Sequence, residues 1–154
     1  MTISKFIHTL STQLESLYDS NEVRSVATIF VCDELKLSHT QLLMCKDDEL
    51  SPANLDKLNS KVHRLTNGEP VQYVTGIASF CGLDFTVDTN VLIPRQETEM
   101  LVETVCNSSL SVVEAAVGNT INILDIGTGS GCIPIAIKKN HPENNVFAVD
   151  ISEK

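Results

Sequence analysis

The sequence predicts an α/β chain: a helical bundle, a β-hairpin linker, and then the opening of a parallel sheet. Three observations predict it. Residues 1–68 carry apolar side chains at three- and four-residue steps, separated by polar capping residues. From Glu69-Pro70 the texture changes to Pro, Gly and β-branched residues, with two short apolar runs around Cys81-Gly82. Near the end, an apolar run at 121–126 leads into three glycines at alternate positions, then an apolar stretch, then a second apolar run. Strand, loop, helix, strand in that order is the pattern of a parallel sheet.

In chain order, Ile3, Phe6, Ile7, Leu10, Leu14 and Leu17 share one face of a helix over about residues 3–18. Ser20 and Asn21 offer an N-cap for a second helix that turns Val23, Val26, Ala27, Phe30 and Val31 inward. Ser38 can cap a short third helix carrying Leu42 and Leu43. Ser51-Pro52 is a strong start, with Ser as cap and Pro at the first helical position. Leu55, Leu58, Val62 and Leu65 then align on one face, and Asn67-Gly68 ends that helix.

Residues 77–80 and 83–87 form a strand pair, in the second of which Leu83, Phe85 and Val87 alternate with Asp84 and Thr86. Pro94 breaks the extended run after Leu92-Ile93, and a helix follows with Met100, Leu101 and Val105 on its apolar side. Residues 107–120 are rich in Ser, Val and Ala and suit the end of this helix plus a loop. Residues 121–126 read as a buried strand, 132–139 as a helix and 146–149 as the next strand. The expected organisation is therefore a helical domain at 1–68, a linker with its hairpin at 69–93, and the start of a second domain at 94–154.

Composition narrows the function classes. The 154 residues are 42% hydrophobic and 20% charged, ordinary for a globular chain. Eleven Lys and Arg against 20 Asp and Glu give a net charge of −9, which argues against binding bare nucleic acid through its phosphates. Five cysteines with no C-x-x-C argue against a disulfide framework or a zinc site and for a reducing cytoplasm. The four histidines show no ligand spacing, the N-terminus is not a signal peptide, and no apolar run reaches membrane-spanning length.

The chemistry concentrates in Asp125-Ile126-Gly127-Thr128-Gly129-Ser130-Gly131. Glycines let the backbone turn sharply and let a ligand lie against it, and the following helix directs free N–H groups at an anionic moiety. No Lys follows a loop glycine, so this is not a P-loop. Cys132 stands where a dinucleotide fingerprint needs its last glycine. The acid-x-Gly-x-Gly-x-Gly spacing is instead that of S-adenosylmethionine (SAM) methyltransferases. Asp150, ending the second strand, is where ribose hydroxyls are bound in both enzyme classes, so it supports a nucleoside cofactor without choosing between SAM and a nicotinamide. The candidate cofactor-binding residues are Gly127, Thr128, Gly129, Ser130, Gly131 and Asp150.

Three blocks together carry a more specific likeness. They are Gly68-Glu69-Pro70-Val71-Gln72-Tyr73-Val74-Thr75-Gly76 with the hairpin after it, Leu92-Ile93-Pro94-Arg95-Gln96-Glu97-Thr98-Glu99, and the glycine loop with Ala148-Val149-Asp150. In this order, behind a helical N-terminal segment, the chain resembles the HemK/PrmC family. Its members methylate the side-chain nitrogen of a glutamine in peptide-chain release factors. The resemblance implies a substrate-recognition role for residues 1–68 and the start of a Rossmann-like SAM-dependent methyltransferase domain at 94–154. It places residues 127–131 at the methionine and ribose end of SAM and Asp150 on the ribose hydroxyls. It sets Arg95 and Glu97 near the cofactor and acceptor cleft, or else as a pair pinning the hairpin. The implied partner is a release factor, and the implied protein is a cytoplasmic monomer.

One departure stands out. The family holds its acceptor glutamine with an Asn-Pro-Pro-Tyr motif after the fourth strand, and this chain has none. After two parallel strands a sheet keeps an open edge and an apolar face. The expectation is that these residues are the front part of a longer enzyme and lack methyl transfer alone. The competing expectations are a non-catalytic release-factor-binding module and, further off, part of a nicotinamide-dependent oxidoreductase.

Overall fold

A computed structural model describes residues 1–113 and 120–152. It divides into two compact units, Met1–Gly76 and Ile77–Lys154.

The first unit is helical. Helix α1 spans Ile3–Leu14 and buries Ile3, Phe6, Ile7, Leu10 and Leu14, the stripe expected from the sequence. Helix α2 spans Ser20–Leu35. Its cap is Asp19, not Ser20 or Asn21: the Asp19 carboxylate accepts the N–H groups of Asn21 (2.9 Å) and Glu22 (3.0 Å). A carboxylate takes two orphan donors at once and suits the positive end of a helix, which a hydroxyl does less well.

Helix α3, His39–Cys45, starts at Ser38 with a full capping box to Gln41. It buries Leu42 but leaves Leu43 58% exposed, so only one of the two expected leucines serves the core. Helix α4 spans Pro52–Thr66, capped by Ser51 and ended at Asn67. The N-terminal residues are strapped across the segment after α3: Ile3 N–H donates to the Asp48 carbonyl and Leu50 N–H to that of Met1. One apolar core joins all these helices, with Leu14, Phe30, Leu58 and Leu65 fully buried.

The helical unit continues past residue 68 through a fifth helix, α5, at Val71–Thr75. No helical stripe of apolar residues marks that stretch in the sequence. Tertiary contacts hold it: Arg64 donates through Nη2 to the Tyr73 carbonyl at 3.1 Å and through Nη1 to that of Val74 at 3.4 Å. The same guanidinium is paired with Glu69, Nε to Oε2 at 2.7 Å. Val71 and Val74 drop into the core.

The second unit opens with an antiparallel hairpin, β1 (Ile77–Phe80) and β2 (Leu83–Thr86), in the expected two-residue register with Phe80 opposite Leu83. Cys81 and Gly82 both have positive φ, 48° and 69°, as a tight twisted hairpin turn demands. Helix α6 spans Gln96–Val113. The expected loop continuing to residue 120 lies largely outside the described residues. Strand β3 (Asn122–Ile126), helix α7 (Cys132–Asn140) and strand β4 (Asn145–Val149) follow. β3 and β4 pair in parallel with Ile126 opposite Val149.

Phe80, Phe85, Val102, Cys132, Ala136 and Ile137 form this unit's core, with Ile123 and Val146 packed on it. The strand expected to be buried is covered on one face only. Leu124 and Ile126 of β3, and Phe147 and Val149 of β4, are 48% to 77% exposed on the other. No described helix is long and apolar enough to cross a membrane.

Candidate functional site

The site grows out of the carboxyl ends of β3 and β4. Both Gly127 N–H (2.8 Å) and Thr128 N–H (3.2 Å) donate to the Val149 carbonyl, so the loop leaves β3 still tied to the neighbouring strand. Gly131 N–H then donates to the Thr128 carbonyl at 3.0 Å and closes the turn into α7. Gly127, Gly129 and Gly131 have φ of 79°, 52° and 74°. That region strains any residue with a Cβ, which explains three glycines at alternate positions. A Cβ added to Gly127 or Gly129 would meet no atom of the chain within 4 Å. The backbone is therefore bare there, open to close approach from outside. At Gly131 the Ile135 Cδ1 atom stands 3.4 Å from the same position.

Asp150 closes the loop from the other side. Its Oδ2 accepts the Gly129 N–H and its Oδ1 the Ser152 N–H, each at 2.8 Å. The Ser152 amide first, and the Gly129 amide next, hold this carboxyl below the usual carboxylate range. It is thus a fixed, ionised acceptor at neutral pH.

Three polar atoms of the same segment are shielded from solvent and have no hydrogen-bond partner: Asp125 Oδ2, Thr128 Oγ1 and Ser130 Oγ. Buried polar atoms are ordinarily satisfied, so three orphans in one loop mark a place where donors and acceptors come from elsewhere. Helix α7 adds to this, since Gly131 supplies no side-chain cap to its first turn. The arrangement can cradle a ligand with a vicinal diol near Asp150 and a polar or charged end over the loop. A cavity of about 580 Å³ lies beside Gly131, along Pro134, Ile135 and Phe147. It borders neither Asp150 nor Gly129 and is a different space.

The structure thus gathers all six residues singled out in the sequence, and adds Asp125 to them. Arg95 and Glu97 stand at the start of α6, with Arg95 accepting the Thr98 N–H through its carbonyl. Among the described residues no ion pair joins Arg95 to Glu97, so the pair is not the pin on the hairpin. That pin is Glu99, whose Oε1 accepts the Cys81 N–H at 2.7 Å. Sequence reasoning missed Glu99. The signal for it was a non-glycine residue at a tight turn, whose exposed amide needs an acceptor.

What fold and site define is a two-part chain: a helical domain, then a unit whose parallel strand–glycine loop–helix–strand segment presents bare backbone and a fixed carboxylate at the strand ends. Comparison with known proteins sharpens this. Residues 6–76 match the model of the PrmC N-terminal domain. The chain is 39% identical to a release factor glutamine methyltransferase of Bacteroides thetaiotaomicron over 92% of its own length and 48% of the relative's. A protein of the same name from Flavobacterium psychrophilum is 38% identical over the same shares. The one from Koribacter versatilis is 36% identical over 99% of this chain and 52% of its own. The chain is thus similar to release factor glutamine methyltransferases along most of its own length, and it spans about half the length of these curated relatives.

Proposed function

We propose that these residues form the cofactor half of a SAM-dependent methyltransferase acting on the side-chain amide nitrogen of a glutamine in a peptide-chain release factor. The observation that carries the reading is the bare loop at residues 127–131 with Asp150 fixed against it, in a chain whose relatives bear that activity in their names. Its strand–loop–helix–strand order reads as the start of a Rossmann-like domain.

The residues present fit the cofactor. Gly127 and Gly129 offer backbone without side chains, Asp150 offers a carboxylate in position for ribose hydroxyls, and the orphaned atoms of Asp125, Thr128 and Ser130 await polar partners. SAM, when bound, supplies a methyl group on a positively charged sulfur. The chain's own part is to bind and orient. Asp150 need not move or lose a proton to receive hydroxyl donors, because its oxygens are already aligned by two amides. A fixed acceptor costs little reorganisation on binding. An amide nitrogen is a weak nucleophile, so the reaction depends on alignment more than on proton transfer. The 154 residues contain no Asn-Pro-Pro-Tyr sequence. The reading assigns cofactor binding to the loop and acceptor positioning to none of the residues described.

Calorimetric titration with SAM and with NAD tests it. SAM should bind, NAD should not, and Asp150→Ala should weaken SAM at least tenfold. Binding of NAD with no response to SAM would sink the proposal.

A further inference from the structure

The hairpin turn is a strained element that the proposed function leaves unused. Both of its central residues have positive φ, 48° at Cys81 and 69° at Gly82. Gly82 adopts that region freely. Cys81 carries a Cβ, and its side chain lacks the local hydrogen bonding that lets Asn or Asp sit there. A residue held in the left-handed region persists where its surroundings fix it. Here the fixing group is Glu99, in the first turn of α6, whose Oε1 accepts the Cys81 N–H at 2.7 Å. An ionised acceptor makes a stronger bond than a neutral one.

The turn is also packed from below. β1 and β2 share no ladder with β3 and β4, so side chains carry the hairpin's contact with the rest of the unit. Phe80 and Phe85, edge to face with centroids 6.3 Å apart, lie in one core with Val102 of α6 and with Cys132, Ala136 and Ile137 of α7. Cys81 packs against the same core. Burial pushes the Cys81 thiol pKa up, and Glu99, Cys106 and Cys132 nearby add to the rise. Cys132 links this core to the glycine loop. It is buried, it is the first residue of α7, and it follows Gly131, whose N–H closes the loop on the Thr128 carbonyl.

We infer that Glu99 is a positioning residue for the glycine loop: by holding the hairpin turn on the first turn of α7, it fixes Gly129 and Gly131 in the geometry that receives the cofactor. Among the described residues Glu99 makes no hydrogen bond to the loop, so it acts through Cys81 and Cys132. A close-packed core transmits such a displacement because it has little free volume. Without the acceptor, Cys81 leaves the left-handed region, and Phe80 beside it shifts against Cys132 and Ala136. The inference rests on the SAM reading for the ligand, whereas the coupling from turn to loop stands on the packing.

The test separates the bond from the charge. Three variants are compared with the unaltered 154-residue chain by calorimetric titration with SAM, amide NMR without ligand, and thermal melts. Glu99→Asp keeps the charge but is one methylene too short for the Cys81 amide. Glu99→Gln keeps an oxygen acceptor and loses the charge. Glu103→Gln, on the exposed side of α6, loses the same charge away from the turn. Glu99→Asp should weaken SAM by about fivefold or more and shift the Gly129, Gly131 and Cys132 amide signals. Glu99→Gln and Glu103→Gln should stay within about twofold of the unaltered chain. A residue that only stabilised the fold would lower the melting temperature and leave the loop signals and the SAM affinity alone. That outcome in Glu99→Asp would overturn the inference and leave the cofactor reading intact. Weak binding by Glu99→Gln with normal binding by Glu99→Asp would also overturn it, since charge and not the bond would then be the cause. If the unaltered chain binds no SAM, the cofactor reading fails, and the loop signals of Glu99→Asp still decide the coupling: moved signals support it and unmoved signals overturn it.

Discussion

Gly129→Ala separates the two things a loop glycine does. Its φ of 52° lies in the left-handed region, where a Cβ costs about 1 kcal/mol. No atom of the chain lies within 4 Å of the new methyl, so no clash adds to that cost. The expected loss of stability is therefore about 1 kcal/mol, or a fall in melting temperature of about 4–8 °C for a unit this small. Affinity for SAM should fall much further, by about tenfold or more, because the methyl projects into the open side of the loop where a ligand meets the backbone. Gly68→Ala is the matched control. Gly68 has φ of 84°, also meets nothing within 4 Å, and lies at the end of α4 in the other unit. It should cost similar stability and leave SAM binding alone. The assay is a melting scan beside a calorimetric titration for each variant. If Gly129→Ala binds SAM as tightly as the unaltered chain, the loop is not the cofactor cradle and the proposed function loses its central support.

Three more outcomes are expected. Because Asp150 has its pKa held below 3.8 by the Ser152 and Gly129 amides, its contribution is present above that value and lost as pH falls through the lowered one. The Gly129 amide signal should then be constant over about pH 5 to 8 and shift only in strong acid; a shift near pH 6 would contradict the contact. Arg64→Ala should destabilise the helical unit by about 1–3 kcal/mol by stripping the acceptors at Tyr73 and Val74, and Arg64→Lys should not restore it, since an ammonium lacks the planar fork. Denaturant melts read this directly. Hydrogen exchange should protect Leu10, Phe30 and Leu58 far better than residues 123–126, whose strand is covered on one face only, and equal protection would refute the packing described.

Much of this molecule was legible in its sequence, for a local reason. Ser38 and Ser51-Pro52 start their helices because a hydroxyl three residues from an orphan amide needs no distant partner. Ile3, Phe6, Leu10 and Leu14 line up by helical geometry alone. Three alternating glycines announce positive φ wherever they fold, and the acid after the next apolar run is carried to them once β3 and β4 pair in parallel.

Other features depended on contacts that no local pattern contains. Helix α5 holds two valines and a threonine, poor helix formers, and exists where Arg64 reaches its carbonyls from α4. Asp19 and Ser20 are both competent caps, and the carboxylate prevailed by taking two amides. Leu42 and Leu43 differ by one position in sequence and about 100° around a helix, so only packing decides which one is buried. Glu99 became the pin on the hairpin because Cys81 adopts a positive φ and leaves an amide facing α6. The sequence by itself therefore determined the striped helices, the caps of α3 and α4 and the positive-φ turns of the glycine loop, since each is written within a few neighbouring residues. Only the tertiary structure decided which carboxylate meets which amide, because a hydrogen bond between Gly129 and Asp150 joins atoms 21 residues apart.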